Sequence, residues 1–300
     1  MVIDFHTHTF PEKIADRALE KLRAASHIRS YVRGTPEALL EAMDRSGVDL
    51  SIVLPVATSA QQVEHINDAS ARLNEAFAPQ ELKTIGEKEA DRPQLFSFGA
   101  MHPDYDGWKS ELARIKNLGL RGIKLHPIYQ GVDFDDLRFL RILDRCAELG
   151  LLVVTHSGYD VGFPGVVNCS PTMVKKAAQT IGTGNDGYQL ILAHMGGWRC
   201  WEEVCALLPE TNVMLDTAFS LDHFEPLQDG YWKQGENGML TKEQFVEMVH
   251  CFGAERFVFG TDSPWSAAER ELDFIRETTL TDEEKENILW KNAVRVLCEE

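Results

Sequence analysis

Apolar runs of strand length recur along the chain, and each is followed by a stretch with helical spacing. The runs cover residues 2–6, 51–56, 95–101, 122–125, 151–155, 189–193, 212–216 and 256–259. They are apolar at successive rather than alternate positions, as in parallel strands buried on both faces. Helix signals lie between them. Thr35 and Pro36 read as an N-cap and first helical residue, with Gly47 as the stop. Residues 133–149 place Leu137, Leu140, Ile142 and Leu143 at helical spacing and end at Gly150. Ser170 and Pro171 open another helix, and Thr281 with Glu284 forms a capping box before the last. Eight alternations of strand and helix predict an α/β fold, a single-domain (β/α)8 TIM barrel over residues 1–300. A doubly wound open sheet would call for a Gly-x-Gly-x-x-Gly turn after the first strand, and none is present.

Two segments exceed this repeat. Residues 79–93 are polar and charged, as in a surface excursion. Residues 220–239 are rich in Asp, Gly and Gln, with Phe224, Tyr231 and Trp232 among them. This second segment follows the seventh strand, over the face where the strands end. It reads as a lid or as a solvated loop.

Composition narrows the partners. A formal charge of -17 argues against nucleic acid and against an anionic membrane surface, both of which call for Lys and Arg. An anionic substrate would need a local positive charge, such as a metal. The six cysteines show no Cys-x-x-Cys spacing and read as reduced thiols of a cytoplasmic protein. The first residues lack the pattern of a signal peptide, and no apolar run approaches the roughly 20 residues that span a bilayer.

The histidines carry the chemistry. Six of ten (His6, His8, His102, His126, His156 and His194) fall at or just past the C-terminal ends of predicted strands. In a parallel barrel those ends share one face, where sites are built. His6 and His8 alternate on one strand, so both imidazoles point the same way and form half of a zinc-like site. Either histidine alone is as readily a hydrogen-bonded strand residue. Asp262 follows the eighth strand, beside the first across the barrel seam, within reach of that pair. Lys124 lies on the fourth strand in register with His126. His126 and His102 line the mouth, with simple hydrogen bonding as the alternative. Trp198 and Trp265 follow site motifs as pocket walls, or as loop packing. Arg199 offers an anion contact, and Tyr159 with Asp160 extends the fifth-strand loop toward a substrate.

As an ordered set, these motifs resemble the amidohydrolase superfamily, in the amidohydrolase-related branch that includes aminocarboxymuconate-semialdehyde decarboxylase. The resemblance runs from Asp4, His6 and His8 through residues 122–127, His156 and residues 194–197 to residues 260–264. It implies one divalent metal on His6, His8, His156 and Asp262. Zinc is the first choice, with manganese, iron or cobalt as alternatives. His194 would orient or deprotonate a metal-activated water, and Asp262 would shuttle the proton. In binuclear members a lysine on the fourth strand is carboxylated and bridges two metals. For Lys124 the favoured role is a positive group paired with an aspartate or a substrate carboxylate. The resemblance also carries the expectation of a homodimer.

The leading expectation is hydrolysis of an amide, ester or lactone in a small molecule. The alternative is non-oxidative decarboxylation of a small aromatic acid. A non-catalytic metal- or ligand-binding barrel is disfavoured by the presence of both His194 and Asp262.

Overall fold

The computed structural model describes residues 1–79, 85, 93–180 and 190–298. Its strands are β1 (Ile3–Thr7), β2 (Leu50–Val53), β3 (in two segments, Gln94–Ser97 and Gly99–Ala100) and β4 (Gly122–Leu125). They continue as β5 (Leu152–Thr155), β6 (Leu190–Leu192), β7 (Met214–Asp216) and β8 (Phe257–Val258). Each pairs in parallel with its sequence neighbours. The seam between β8 and β1 closes through Phe5 N–H to Phe259 O at 2.7 Å and Asp262 N–H to His6 O at 2.8 Å. The fold is the expected barrel.

The alternation along each strand sorts side chains between interior and shell. Leu152 and Val154 join Ile3, Phe5, Ile52, Phe98, Ile191 and Met214 in the interior cluster. Ile123, Leu125 and Val153 face the helical layer. Lys124 therefore points inward, paired in register with Val154, and is 1% exposed.

The helices begin and end where their caps direct. They are α1 (Glu12–Ser26), α2 (Pro36–Ser46), α3 (Val63–Phe77), α4 (Trp108–Asn117), α5 (Pro127–Gln130) and α6 (Leu137–Leu149). After these come α7 (Pro171–Thr180), α8 (Trp201–Leu207), α9 (Lys242–Phe252), α10 (Ala268–Arg276), α11 (Asp282–Glu286) and α12 (Asn292–Cys298). Thr35 Oγ1 accepts from Ala38 N–H at 3.2 Å to open α2, and Gly47 closes it in the left-handed conformation. α6 starts at Leu137 rather than near 133, because Asp136 takes the cap by accepting from Arg138 N–H at 2.8 Å. The capping box at Thr281 and Glu284 forms as expected.

The third strand departs from expectation by breaking at Phe98. Two asparagines of α3 take over its backbone bonds there. Asn74 pairs with both backbone groups of Ser97, and Asn67 Oδ1 accepts from Ala100 N–H at 2.7 Å. Of the two expected excursions, the structure describes the second. The first, 79–93, lies outside the described residues except for residues 79, 85 and 93. The segment after β7 is docked: Phe224 is buried with Ile28, Trp198, Phe219 and Met239, and Trp232 Nε1–H donates to Ser26 O at 2.9 Å. No described helix is long and apolar enough to cross a membrane.

One buried acid on the shell yields a pH test. Glu271 of α10 accepts from Ser266 Oγ, while its Oε2 is buried without a hydrogen bond. Burial pushes its carboxyl up from 4.5 to about 8. Between those values the folded protein keeps a proton that the unfolded chain has released. The native state binds more protons there, so stability falls as pH rises. Glu271→Gln is expected to remove this component, flattening the decline of Tm between pH of about 5 and about 8. A decline parallel to the native protein's would count against it.

Candidate metal centre

The donors converge because the backbone is locked around the barrel mouth. β1 pairs Asp4 with Ser51 but Thr7 with Val53, so one extra residue is accommodated at a bulge that contains His6. Asp4 ties this bulge to the segment after β8. Its carboxylate accepts from His6 N–H at 3.1 Å, Thr261 N–H at 3.0 Å and Thr261 Oγ1 at 2.6 Å. A Cβ on Gly260 would lie 2.9 Å from His6 Cβ, so a glycine is what lets the two strands approach.

Hydrogen bonds then fix the tautomers. His6 Nδ1–H donates to Asp216 Oδ2 and His8 Nδ1–H donates to Leu54 O, both at 2.7 Å. In each ring Nε2 is then the unprotonated nitrogen. The two Nε2 atoms lie 3.2 Å apart, and Asp262 Oδ1 is 3.0 Å from that of His8 and 3.5 Å from that of His6. Three lone pairs this close repel unless a positive charge lies among them. Donors about 2.0–2.2 Å from a tetrahedral metal stand about 3.3–3.6 Å apart, so the set fits such an ion. Lys124 Nζ donates to His6 Nε2 at 3.1 Å, adding a fixed cation at the edge. Burial, and then the charge of Lys124, hold His6 well below its ordinary pKa, so the ring stays a neutral ligand.

Asp216 supports the whole group. Its Oδ1 accepts from His194 N–H at 2.8 Å and Ala218 N–H at 3.1 Å, while Oδ2 holds His6. Burial raises its pKa, opposed by the Lys124 charge and these N–H groups. Lys124 is displaced downward by burial, opposed by Asp216 and Asp262. Each group thus counters part of the other's burial penalty.

His194 and His156 continue the network. His194 Nδ1–H donates to Ala218 O at 2.9 Å, and its Nε2 lies 3.0 Å from His156 Nδ1. Burial lowers His194 to about 4, so it is neutral at neutral pH. Of the four ligands implied by the resemblance, the structure gathers three. His156 is turned away, with its Nε2 3.9 Å from Asp160 Oδ2, because its Nδ1 is engaged by His194. It forms a second donor group with His126 and Asp160.

The remaining expected residues divide. Tyr159 is partly exposed at the mouth, held by its N–H to Trp198 O at 3.0 Å. Trp198 is packing: it is buried against Phe219 and Phe224. Trp265 packs on the same cluster. Arg199 is drawn away from the donors, stacked 4.8 Å over Trp198 and donating to Glu236 O. This ties it to the docked loop and corrects its expected role as an anion contact. His102 lies in neither group; its Nδ1 accepts from Asp104 N–H at 3.1 Å. Asp4, named in the resemblance without a role, and Asp216, not singled out, hold the donors in place; an aspartate inside or ending an apolar strand was the available signal.

A parallel β/α barrel whose strand ends gather imidazole and carboxylate donors has the architecture of a metal-dependent enzyme. The family profile described as Amidohydrolase matches residues 3–297, and the chain belongs to that family. It is an enzyme of the amidohydrolase superfamily. No curated protein sequence matches it. Among solved structures it is similar to a 2,6-dihydroxybenzoate decarboxylase complexed with 2,6-dihydroxybenzoate (14% identity, 99% and 98% of the two chains, TM-score 0.64). It is similar to 5-carboxyvanillate decarboxylase from Novosphingobium aromaticivorans complexed with manganese and 4-hydroxy-3-methoxy-5-nitrobenzoic acid (15%, 99% and 96%, 0.62). A putative 2-pyrone-4,6-dicarboxylic acid hydrolase from Pseudomonas putida also matches (17%, 99% and 97%, 0.60).

Asp216 gives the prediction for this site. Asp216→Asn is expected to weaken metal binding about 10–100-fold while the far-ultraviolet circular dichroism stays native. Unchanged affinity in a metal titration would show that Asp216 does not govern the His6 ligand.

Proposed function

We propose that the chain is a metal-dependent, non-oxidative decarboxylase of a small aromatic carboxylic acid. The observation that carries this is Lys124: a buried ammonium 3.1 Å from His6 Nε2, beside the first donor group. A substrate carboxylate would meet this fixed charge together with the metal. Aromatic rings stand close by, with Tyr129 edge-on to His126 at 4.3 Å and to Phe163 at 5.0 Å. Two of the three solved relatives described above are decarboxylases of hydroxylated aromatic acids, which supports the same choice.

His6, His8 and Asp262 would hold the metal. When bound, a divalent cation supplies Lewis-acid charge for substrate oxygens and, for a hydrolase, acidifies water. The chain supplies the rest. Loss of carbon dioxide breaks a carbon–carbon bond and leaves its electron pair on the ring carbon, which then takes one proton. That proton comes from water, and the Asp262 carboxylate, 3.0 Å from His8 Nε2, would relay it to the carbon. His194 keeps its proton on Nδ1 by donating to Ala218 O, so its Nε2, 3.0 Å from His156 Nδ1, is the neighbouring nitrogen able to accept a proton.

The second reading is hydrolysis of a lactone or amide, with His194 taking a proton from the attacking water. It is supported by the base itself and by the pyrone hydrolase among the solved relatives. Metal-reconstituted enzyme should be offered hydroxybenzoates and pyrone lactones in parallel. Carbon dioxide release with the decarboxylated arene is the expected outcome; ring opening without carbon dioxide would transfer the assignment to the hydrolase. In either case His194→Asn is expected to lower kcat by about 10²–10⁴-fold and leave metal content unchanged. Loss of metal would move His194 from proton acceptor to ligand.

A further inference from the structure

We infer that Tyr129 and Asp160 form a specificity-determining pair that selects a hydroxyl group on the substrate ring. Such a pair rests on the reading above, in which the ligand is an aromatic acid. Its first member is a buried acceptor without a donor. Asp160 exposes 10% of its side chain. Its Oδ1 accepts from Gly162 N–H at 2.7 Å. Its Oδ2 is left with His126 Nε2 at 3.5 Å and His156 Nε2 at 3.9 Å, both beyond an ordinary hydrogen bond. Among the described residues, no guanidinium or ammonium pairs with it. A buried carboxylate oxygen in this state is destabilising until a donor reaches it.

The second member is a phenol bordering the same gap. Tyr129 stands edge-on to His126 and to Phe163, and its hydroxyl makes no hydrogen bond among the described residues. A Cβ on Gly162 would lie 3.2 Å from Asp160 Oδ1 and 3.9 Å from the Tyr129 hydroxyl. Burial raises the Tyr129 phenol, helped by the charges of Asp160 and Asp262. Burial also raises Asp160, opposed by Gly162 N–H and helped by Asp262. Both groups thus feel the carboxylate of the first donor group and belong to the same mouth.

The frame behind the pair is fixed. Gln130 closes the turn that carries Tyr129: its Oε1 accepts from His126 N–H at 3.0 Å, and its Nε2 donates to Ala57 O and Met101 O at 3.0 and 2.7 Å. Phe163 N–H donates to Asp160 O at 3.1 Å, which ties the loop on which both residues ride. A hydroxyl answers both members at once, since it accepts from the phenol O–H and donates to Oδ2. A methyl ether accepts only. A second carboxylate would meet Oδ2 as a like charge, and Arg199, which could have offset it, is held at Glu236 O.

Manganese-loaded, full-length protein is to be titrated with 3- and 4-hydroxybenzoate and with their methyl ethers by isothermal titration calorimetry. The native protein is expected to bind at least one hydroxy acid about 10–100-fold more tightly than its ether, the range for a hydrogen bond to a charged group. In Asp160→Asn the side-chain oxygen stays on Gly162 N–H, so an amide NH2 replaces the accepting Oδ2. The preference for the hydroxyl should then vanish or invert. Tyr129→Phe should weaken the acid and its ether alike, because both accept from the phenol. Misfolding of one variant, seen by circular dichroism, leaves the other to decide. A preference kept in Asp160→Asn is steric and overturns the pair. Unchanged affinity in Tyr129→Phe overturns it too, as does a native protein that binds neither hydroxy acid or shows no preference. Binding is read without turnover, so the two readings separate. Hydroxyl selectivity without carbon dioxide release would keep the pair and remove decarboxylation; carbon dioxide release from acids whose affinity neither variant changes would do the reverse.

Discussion

The site rests on one constraint: carbonyl and carboxylate oxygens behind the imidazoles take the Nδ1 protons and turn the Nε2 lone pairs toward a shared space. Asp216 does this for His6 and Leu54 O for His8, while Ala218 O sets His194, whose Nε2 faces His156 Nδ1. Without these acceptors each ring would be free to present either nitrogen, and the pull on a cation would be lost. The arrangement is unstable by itself, because it brings lone pairs together in a desolvated interior. The barrel holds it in place. Interior packing on one side and a hydrogen-bonded rim on the other leave the rings little freedom to turn apart.

Backbone geometry shows where that rigidity is concentrated. His194, Met195 and Asp262 all have φ near +60°, in the left-handed region that side-chain-bearing residues seldom adopt. Such conformations persist only where the surroundings over-determine them. Here the determinants are visible. Asp216 holds His194 N–H, Met195 N–H donates to Asp216 O, and Asp262 N–H donates to His6 O. Gly158 completes the rim: with φ of +84°, it passes so close to Trp198 that a Cβ would lie 2.3 Å from the Trp198 nitrogen. The β5 and β6 exits are thereby clamped to each other, and His156, Tyr159 and Asp160 ride on one of them.

Much of this was legible in the sequence, for reasons specific to a barrel. Strands buried on both faces announce themselves as apolar runs, and caps at Thr35, Gly47, Gly150 and Thr281 mark helix ends by local chemistry. The topology then collects histidines from strand ends, so His6, His8, His194 and Asp262 were recoverable without coordinates. What stayed hidden depends on side-chain direction across elements. The break in β3 depends on Asn67 and Asn74 of α3, which no strand pattern reveals. Asp216 looked like a strand terminus because its partner His6 is 210 residues away. Arg199 is adjacent in sequence to a site motif, yet its positive φ of 63° swings it toward the docked loop.

The same reasoning bears on why one pocket suits either decarboxylation or hydrolysis. Both reactions gather negative charge on substrate oxygens, and both are served by a cation held among neutral imidazoles. They part at the proton. A hydrolase must remove one from water, for which His194 is the available acceptor; a decarboxylase must deliver one to carbon. The chain has a lysine fixed among its donors. A fixed ammonium beside the donors gives a substrate carboxylate a partner that a neutral lactone or amide does not use. Decarboxylation is therefore the reading for which the surroundings of the metal donors, and not just the donors themselves, have a physical use.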